Sequence, residues 1–345
     1  MESILEIRNL NVSFFVKSKN KKLFILRDIN LEIFKTQKIA IVGESASGKT
    51  TLANTIMLLN DKEYTYYSGF VKFYPIKNSC SCQKKFYEII TVNGKTQILD
   101  EKNMRHLRGN HISMVFQDPF SALNPVVSVG KQVEEVIKNH NYNLSKKDIY
   151  NKVIELFYKV KLPQPEHIYN KYPHQLSGGQ IQRICIGIAL ANKPEILIAD
   201  EPTTALDASL KDTIINLLTE LVVEENSALI LITHDINLIK NSVDYVFILY
   251  AGEIVEYASA KEIFENPKHP YTTLLLECSV DKTKKGKKLT TIPYDFPDLT
   301  DEEVFKKCIF FNRCPKKIKD CEFIKPNFYS FGQHKVKCIL YENER

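Results

Sequence analysis

Gly43-Glu44-Ser45-Ala46-Ser47-Gly48-Lys49-Thr50 carries the pattern G-x-x-x-x-G-K-[ST], with Thr51 beside it. The chemistry open to such a run is the grip of phosphate. Its glycines let backbone N–H groups fold round phosphate oxygens, and a helix starting there adds positive potential. Lys49 is then placed to reach the β- and γ-phosphates of a nucleoside triphosphate, and Thr50 to offer its hydroxyl to Mg²⁺. A second constellation is Asp200-Glu201, at the end of the apolar run Glu-Ile-Leu-Ile-Ala. A strand there delivers Asp200 to a sheet edge, where its carboxylate can hold the Mg²⁺ shell. Glu201, one residue on, can polarise a water for attack on the γ-phosphate. A third is Leu176-Ser177-Gly178-Gly179-Gln180. A glycine pair at a helix start exposes N–H groups as another anion site. A second cradle in one chain is redundant, but it makes sense facing the nucleotide of another subunit.

These groups need a parallel sheet to bring them together. Residues 4–8, 12–15, 38–42 and 112–116 read as strands, and a helix should follow from Lys49. Residues 128–161 read as helical, with Val129, Val133, Val136 and Ile137 on one face. Helix 181–192 leads into strand 196–199, and helix 209–223 into strand 228–233. This alternation predicts an α/β fold with crossover helices. Residues 61–111 give no clear pattern beyond some strand character. The lysine-rich run 282–288 reads as a solvated linker.

The 345 residues suggest roughly two domains. At 44% hydrophobic the chain can build a sizeable core, so disorder is not the default. A net charge of +6 is too weak to argue for a nucleic-acid partner. No apolar run approaches the ~18 residues of a membrane span. The start, MESILEIRNLNVSFF, reads as a strand and not as a secretion signal. The expected setting is the reducing cytosol, where the eight cysteines are better metal ligands or buried hydrophobes than disulfides.

LSGGQ at 176–180 resembles the signature motif of the ATP-binding cassette (ABC) ATPases, and the family's other landmarks stand in order. Gln117 resembles the Q-loop glutamine that senses Mg²⁺ and the γ-phosphate. Thr204-Ala205-Leu206-Asp207 resembles the D-loop, and His234 the switch histidine at the γ-phosphate. Phe14 and Phe15 are both candidates for the adenine-stacking aromatic. The resemblance spans residues 4 to about 260 and implies an ATPase using ATP and Mg²⁺. The implied fold is a P-loop NTPase: a RecA-like core with an antiparallel β subdomain and a helical subdomain inserted at about 119–185. An ATP-binding domain then fills 1–262, and a short Cys-bearing extension fills 263–345. The implied partner is a second, similar or identical ATPase subunit, paired head-to-tail with two ATPs between them. Glu201, His234 and Gln117 are the implied catalytic group. Thr50, Gln117 and Asp200 are the implied Mg²⁺ group. The phosphate loop, Ser177–Gln180 and Asp207 complete nucleotide binding.

Phe116-Gln-Asp-Pro-Phe-Ser-Ala-Leu-Asn-Pro125, Tyr172-Pro-His-Gln before the signature, and Gly252–Glu256 followed by Asn266-Pro-Lys-His-Pro-Tyr-Thr272 resemble the oligopeptide, dipeptide and nickel importer branch. That branch implies two membrane permease subunits, a binding protein outside, and a peripheral place on the cytoplasmic face of the membrane. Peptides are the expected cargo, with nickel or a chelate as the alternative. A soluble cassette ATPase acting on DNA or ribosomes is a weaker one, since such proteins often carry two cassettes in one chain. Cys308, Cys314, Cys321 and Cys338 resemble the branch's tail, which in some members ligates a 4Fe–4S cluster. Four thiols in a short tail can also hold Zn²⁺ or nothing. The stretch 71–99, with Cys80 and Cys82, looks longer than the family's usual antiparallel arm.

Overall fold

Two sheets, facing one another across a shared core, carry the chain. The computed structural model describes residues 2–76, 86–93, 95–140, 143–204, 206–278, 292 and 296–342. The elements begin with β1 (Ser3–Val16), β2 (Lys21–Phe34), β3 (Lys38–Val42), α1 (Lys49–Ile56), β4 (Thr65–Phe73), β5 (Tyr87–Asn93) and β6 (Lys95–Ile98). Next come α2 (Glu101–Leu107), β7 (Ile112–Val115), α3 (Pro119–Ala122), α4 (Val129–His140), α5 (Lys146–Lys159), α6 (Pro165–Tyr169) and α7 (Gly178–Leu190). Then follow β8 (Ile196–Asp200), α8 (Ala208–Glu224), β9 (Ala228–Thr233), β10 (Tyr245–Tyr250), β11 (Glu253–Ser259), α9 (Ala260–Glu265) and α10 (Pro270–Cys278). The hairpin β12 (Tyr329–Phe331) and β13 (His334–Val336) closes the series.

The larger sheet runs β12-β13-β11-β10-β3-β9-β8-β7, and its segment β10-β3-β9-β8-β7 is parallel. Parallel strands buried on both faces are continuously apolar, as KIAIV and ALILIT are. Their side chains alternate between two cores. Ile39, Ile41, Ile230 and Ile232 face the antiparallel sheet and α1, while Ala40, Val42, Leu229 and Leu231 face the helices. Each fully buried Ile or Leu contributes about 1.5–3 kcal/mol. The smaller sheet, β2-β1-β4-β5-β6, is antiparallel. The fold expectation is met: an α/β P-loop architecture with an antiparallel layer and a helical layer.

Several local expectations shift. The two short strands expected at 4–8 and 12–15 are one strand, β1, with register breaks between Ile7 and Val12. Asn9, in the left-handed conformation, takes up the irregularity. The helix expected over 128–161 is two. Val129, Val133 and Ile137 form the buried stripe of α4, with Val136 half-buried, and Ile149, Val153 and Phe157 form that of α5. Ser145 starts the second by accepting the Asp148 N–H at 3.2 Å. Most of 61–111 is β4, β5, β6 and α2. Cys80, Cys82 and the run 282–288 lie outside the described residues.

Residues beyond 296 fold back on the main sheet. β13 pairs with β11, the Phe24 N–H donates to the Leu299 carbonyl, and the Arg27 guanidinium lies 3.2 Å from the Phe305 ring centre. The Glu256 carboxylate accepts the N–H groups of Lys268 and His269 and bonds His334 of the tail, so the 252–256 and 266–272 stretches and the tail meet on one buried charge. Phe310 is buried against Tyr250 and Tyr271, with ring centres 5.0 and 5.4 Å away. Position 262 falls inside α9. Phe310→Ala is expected to cost about 3–5 kcal/mol. Limited proteolysis should then cut the tail while sparing the parallel sheet; equal resistance of variant and wild type would refute the anchoring role.

Candidate active site

The strand order β7-β8-β9-β3 places four functional segments side by side at one sheet edge. Gln117 follows β7, Asp200 and Glu201 end β8, His234 follows β9, and the phosphate loop follows β3. In open α/β sheets this carboxyl edge is where ligands bind.

The loop is shaped by its neighbours. A Cβ on Gly43 would lie 2.1 Å from the Leu249 carbonyl oxygen of β10, so only glycine passes there. Gly48, at φ +102°, turns the chain into α1, and a Cβ there would meet Leu26 at 2.8 Å. The Gly252 N–H donates to the Ser47 carbonyl at 2.9 Å. Lys49 is buried at 5% exposure, and its Nζ donates to the carbonyls of Gly43 and Glu44, each at 2.9 Å. Burial pulls the Lys49 pKa down, against the charges of Glu201, Asp200 and Glu44. A buried cation held only by loop carbonyls and distant carboxylates is a cation poised for an anion.

Asp200 is 1% exposed. Burial pushes its pKa up, opposed by a hydrogen bond from Thr50 and the Lys49 charge. Asp200 Oδ1 and Ser47 Oγ are buried without a hydrogen-bond partner among the described residues. Such orphaned oxygens are costly unless a ligand satisfies them. With Thr50 bonded to Asp200, the all-oxygen donor set fits Mg²⁺ carried on a polyphosphate.

Glu201 sits in the left-handed region at φ 47°, one of twelve non-glycine residues with positive φ among the described residues. Its carboxylate accepts from Thr204 Oγ1 at 2.7 Å and from His234 Nδ1 at 2.7 Å, and lies 3.9 Å from Lys49 Nζ. Burial alone would raise its pKa; the bonds from His234 and Thr204 and the His234 and Lys49 charges overcome this and hold it below the usual carboxylate value. The same bond holds His234 above its ordinary value, against partial burial and the Lys49 charge.

Thus Lys49, Thr50, Asp200, Glu201 and His234 are brought together. Ser177, Asp207 and Gln117 are exposed. Ser177 caps α7, accepting the Gln180 N–H while its own N–H reaches Gln180 Oε1. A cavity of about 670 Å³ opens beside the phosphate loop, lined by Ser45, Ala46, His234, Phe296 and Arg313 among others, and residues 177–180 are not in its wall. Phe14 packs on the core between the sheets and Phe15 is half-buried, which does not choose between them. Thr204, read from sequence only as part of the D-loop, touches the site, as do Tyr271 and Arg313, which the sequence did not assign to it. The partner of Arg313, Glu44, is 269 positions away.

Cys308, Cys314, Cys321 and Cys338 share one neighbourhood. The Cys308 N–H donates to the Cys321 carbonyl, and the Cys314, Cys321 and Cys338 thiols act electrostatically on that of Cys308. Burial pushes Cys308 up to about 12 and Cys338 to about 11. Among the described residues, no three His, Cys, Asp or Glu side chains converge closely enough to hold a metal ion. The thiols are therefore gathered but do not form a closed ligand cage. Cys185 is a buried thiol on the Pro119 carbonyl, and Cys278 is half-buried.

Comparison with known proteins agrees with this geometry. Residues 26–204 match the ABC transporter family model, and residues 255–321 match that of the oligopeptide/dipeptide transporter C-terminal region. The chain is 40% identical over 299 residues to a dipeptide transport ATP-binding protein of Lactococcus lactis, covering 86% of this chain and 80% of that protein. It is 38% identical to an oligopeptide transport ATP-binding protein of Bacillus subtilis, covering 98% and 88%. A dimeric bacterial ABC transporter cassette superposes with a TM-score of 0.61 at 28% identity, over 74% of this chain and 99% of that one. The same cassette in a post-hydrolysis state bound to ADP and Pi gives a TM-score of 0.60 at 27% identity, over the same shares.

The Glu201–His234 bond has a pH signature. Its raised His234 pKa contributes stability that is present below the unfolded value of 6.5 and fades as pH rises through the folded value. Glu201's lowered pKa contributes stability that is present above its unfolded value of 4.5 and fades as pH falls through the folded value. A histidine NMR titration should therefore place His234 above 6.5, and Glu201→Gln should return it towards about 6.5. An unshifted His234 in the wild type would contradict the pairing.

Proposed function

The chain belongs to the ABC transporter family and is the ATP-hydrolysing, energy-coupling subunit of a peptide importer, and we propose how its own residues carry that reaction. The observation that carries the reading is the meeting of Lys49, Asp200, Glu201 and His234 at one sheet edge. Backbone N–H groups of 43–50 and the Lys49 ammonium bind the triphosphate. Thr50, Asp200 and Gln117 would hold Mg²⁺, which when bound spreads and neutralises phosphate charge. Glu201 accepts a proton from water as the water oxygen bonds to the γ-phosphorus. The bond to the β,γ-bridging oxygen breaks, leaving ADP and phosphate. A carboxyl held below its ordinary pKa is ionised and ready for this at neutral pH. His234 leaves Glu201 to hydrogen-bond the γ-phosphate, so triphosphate binding frees the base.

Ser177 and Asp207, exposed, and Gly178, Gly179 and Gln180, half-buried, all outside the wall of the loop's cavity, complete the site of a second cassette subunit. Among the described residues no helix is long and apolar enough to cross a membrane. Two permease subunits supply the channel, and the chain binds them peripherally on the cytoplasmic face. Phe116, Phe120 and Val126, large apolar groups exposed near Gln117, suit that contact. A binding protein delivers substrate on the far side. The relatives' names support oligopeptides or dipeptides over nickel. Residues 1–262 act as the ATP-binding domain, with 119–185 as its helical part, and 263–345 as the extension. The four tail cysteines share a buried neighbourhood, but among the described residues no three side chains converge closely enough to hold a metal ion, so no cluster is assigned to them.

Glu201→Gln should lower turnover at least about 10²-fold while leaving ATP binding intact. Unchanged hydrolysis would remove Glu201 as the base. Anaerobic purification from native membranes should bring two permeases and a second cassette. Recovery with ribosomes or DNA in place of permeases would overturn the importer reading.

A further inference from the structure

The phosphate loop is gripped from outside by the C-terminal tail. Arg313 Nη1 and Nη2 donate to Glu44 Oε2 and Oε1 at 2.6 and 2.9 Å, a fork-on-fork pair. The guanidinium side chain is 7% exposed and that of Glu44 27%. Arg313 also donates to the Tyr250 hydroxyl at 3.3 Å, and the Glu44 N–H donates to the Tyr271 hydroxyl at 2.9 Å. Both tyrosines are fully buried around Phe310, three residues before Arg313. Glu44 is thus fixed at its side chain and its backbone by groups outside the loop.

This placement has an electrostatic consequence. Glu44 puts a carboxylate inside a loop whose task is to attract a polyanion. Arg313 cancels that charge, and it lines the same cavity as Ser45, Ala46 and His234. An uncompensated carboxylate in this loop would repel the triphosphate and weaken nucleotide binding about tenfold or more.

We propose that Arg313 is a positioning and charge-compensating residue for ATP. It neutralises Glu44 within the phosphate loop and so makes nucleotide affinity depend on the docked tail. The proposal rests on the ATP-site reading given above. Anchoring of the tail alone would not involve Glu44's charge, and this difference makes the two roles separable.

The test is an equilibrium MgATP titration of the full chain carrying Glu201→Gln to stop turnover. Arg313→Gln should raise the ATP Kd about tenfold or more, and Arg313→Lys, which keeps the compensating charge, should stay within about threefold of the parent. Glu44→Gln alone should bind more tightly than its parent, because Arg313 then faces the phosphates unopposed. In the double variant, removing the uncompensated carboxylate should bring Kd back to within about threefold of the parent. In the turnover-competent chain, Arg313→Gln should raise KM by more than it lowers kcat. Unchanged affinity in Arg313→Gln, or a double variant as weak as Arg313→Gln, overturns the proposal. If Arg313→Gln does not fold, Glu44→Gln still decides: binding no tighter than the parent overturns it. Should the parent itself bind no ATP, the site reading fails, and not the role of Arg313 alone.

Discussion

A triphosphate can be bound by backbone N–H groups only if the loop that carries them is held in shape before the anion arrives. The rest of the structure follows from that constraint. Gly43 lies against the Leu249 carbonyl, Gly48 against Leu26, and Ser47 accepts from Gly252. These neighbours come from β10, β2 and the β10–β11 turn, so both sheets are needed to shape eight residues. The tail adds Arg313 and α10 adds Tyr271, both on Glu44. Preorganisation of this kind moves the entropy cost of ordering from binding to folding.

The second demand is that the charges needed for hydrolysis survive burial. Lys49, Asp200 and Glu201 are all nearly inaccessible. Each would be expensive alone, and each is offset by the others or by Thr50, Thr204 and His234. The unsatisfied oxygens of Asp200 and Ser47 mark where this compensation stops short of completion. The molecule tolerates that cost at the site where a ligand would remove it.

Much of this was legible in the sequence, for physical reasons. Strands β3, β8 and β9 are buried on both faces and read as apolar runs, and the phosphate loop has a pattern that few other demands produce. Asp200, Glu201 and His234 could be placed because they lie at the ends of those strands, and Lys49 because it closes the phosphate loop that follows β3. Other features were hidden. The long strand β2 mixes charged and apolar residues, since its first turns are exposed, and it was not singled out. Position 145 gave no sign that one amphipathic helix becomes two until its cap was seen. The grip of Arg313 on Glu44 spans 269 positions, and no local signal reports such a pair. The cysteine pattern raised the expectation of a metal-ligand set, but convergence is a property of the fold, and here the thiols are close without closing on a centre.

The central claim is that the buried Lys49 ammonium is held ready for the phosphates of ATP. Isothermal titration of the wild-type chain and Lys49→Ala with MgATP tests it most directly. Loss of two charge-assisted hydrogen bonds should weaken binding by at least about tenfold, with the fold unchanged by circular dichroism. Equal affinity in the two proteins would mean that the nucleotide is held elsewhere, and the account of this sheet edge would fail.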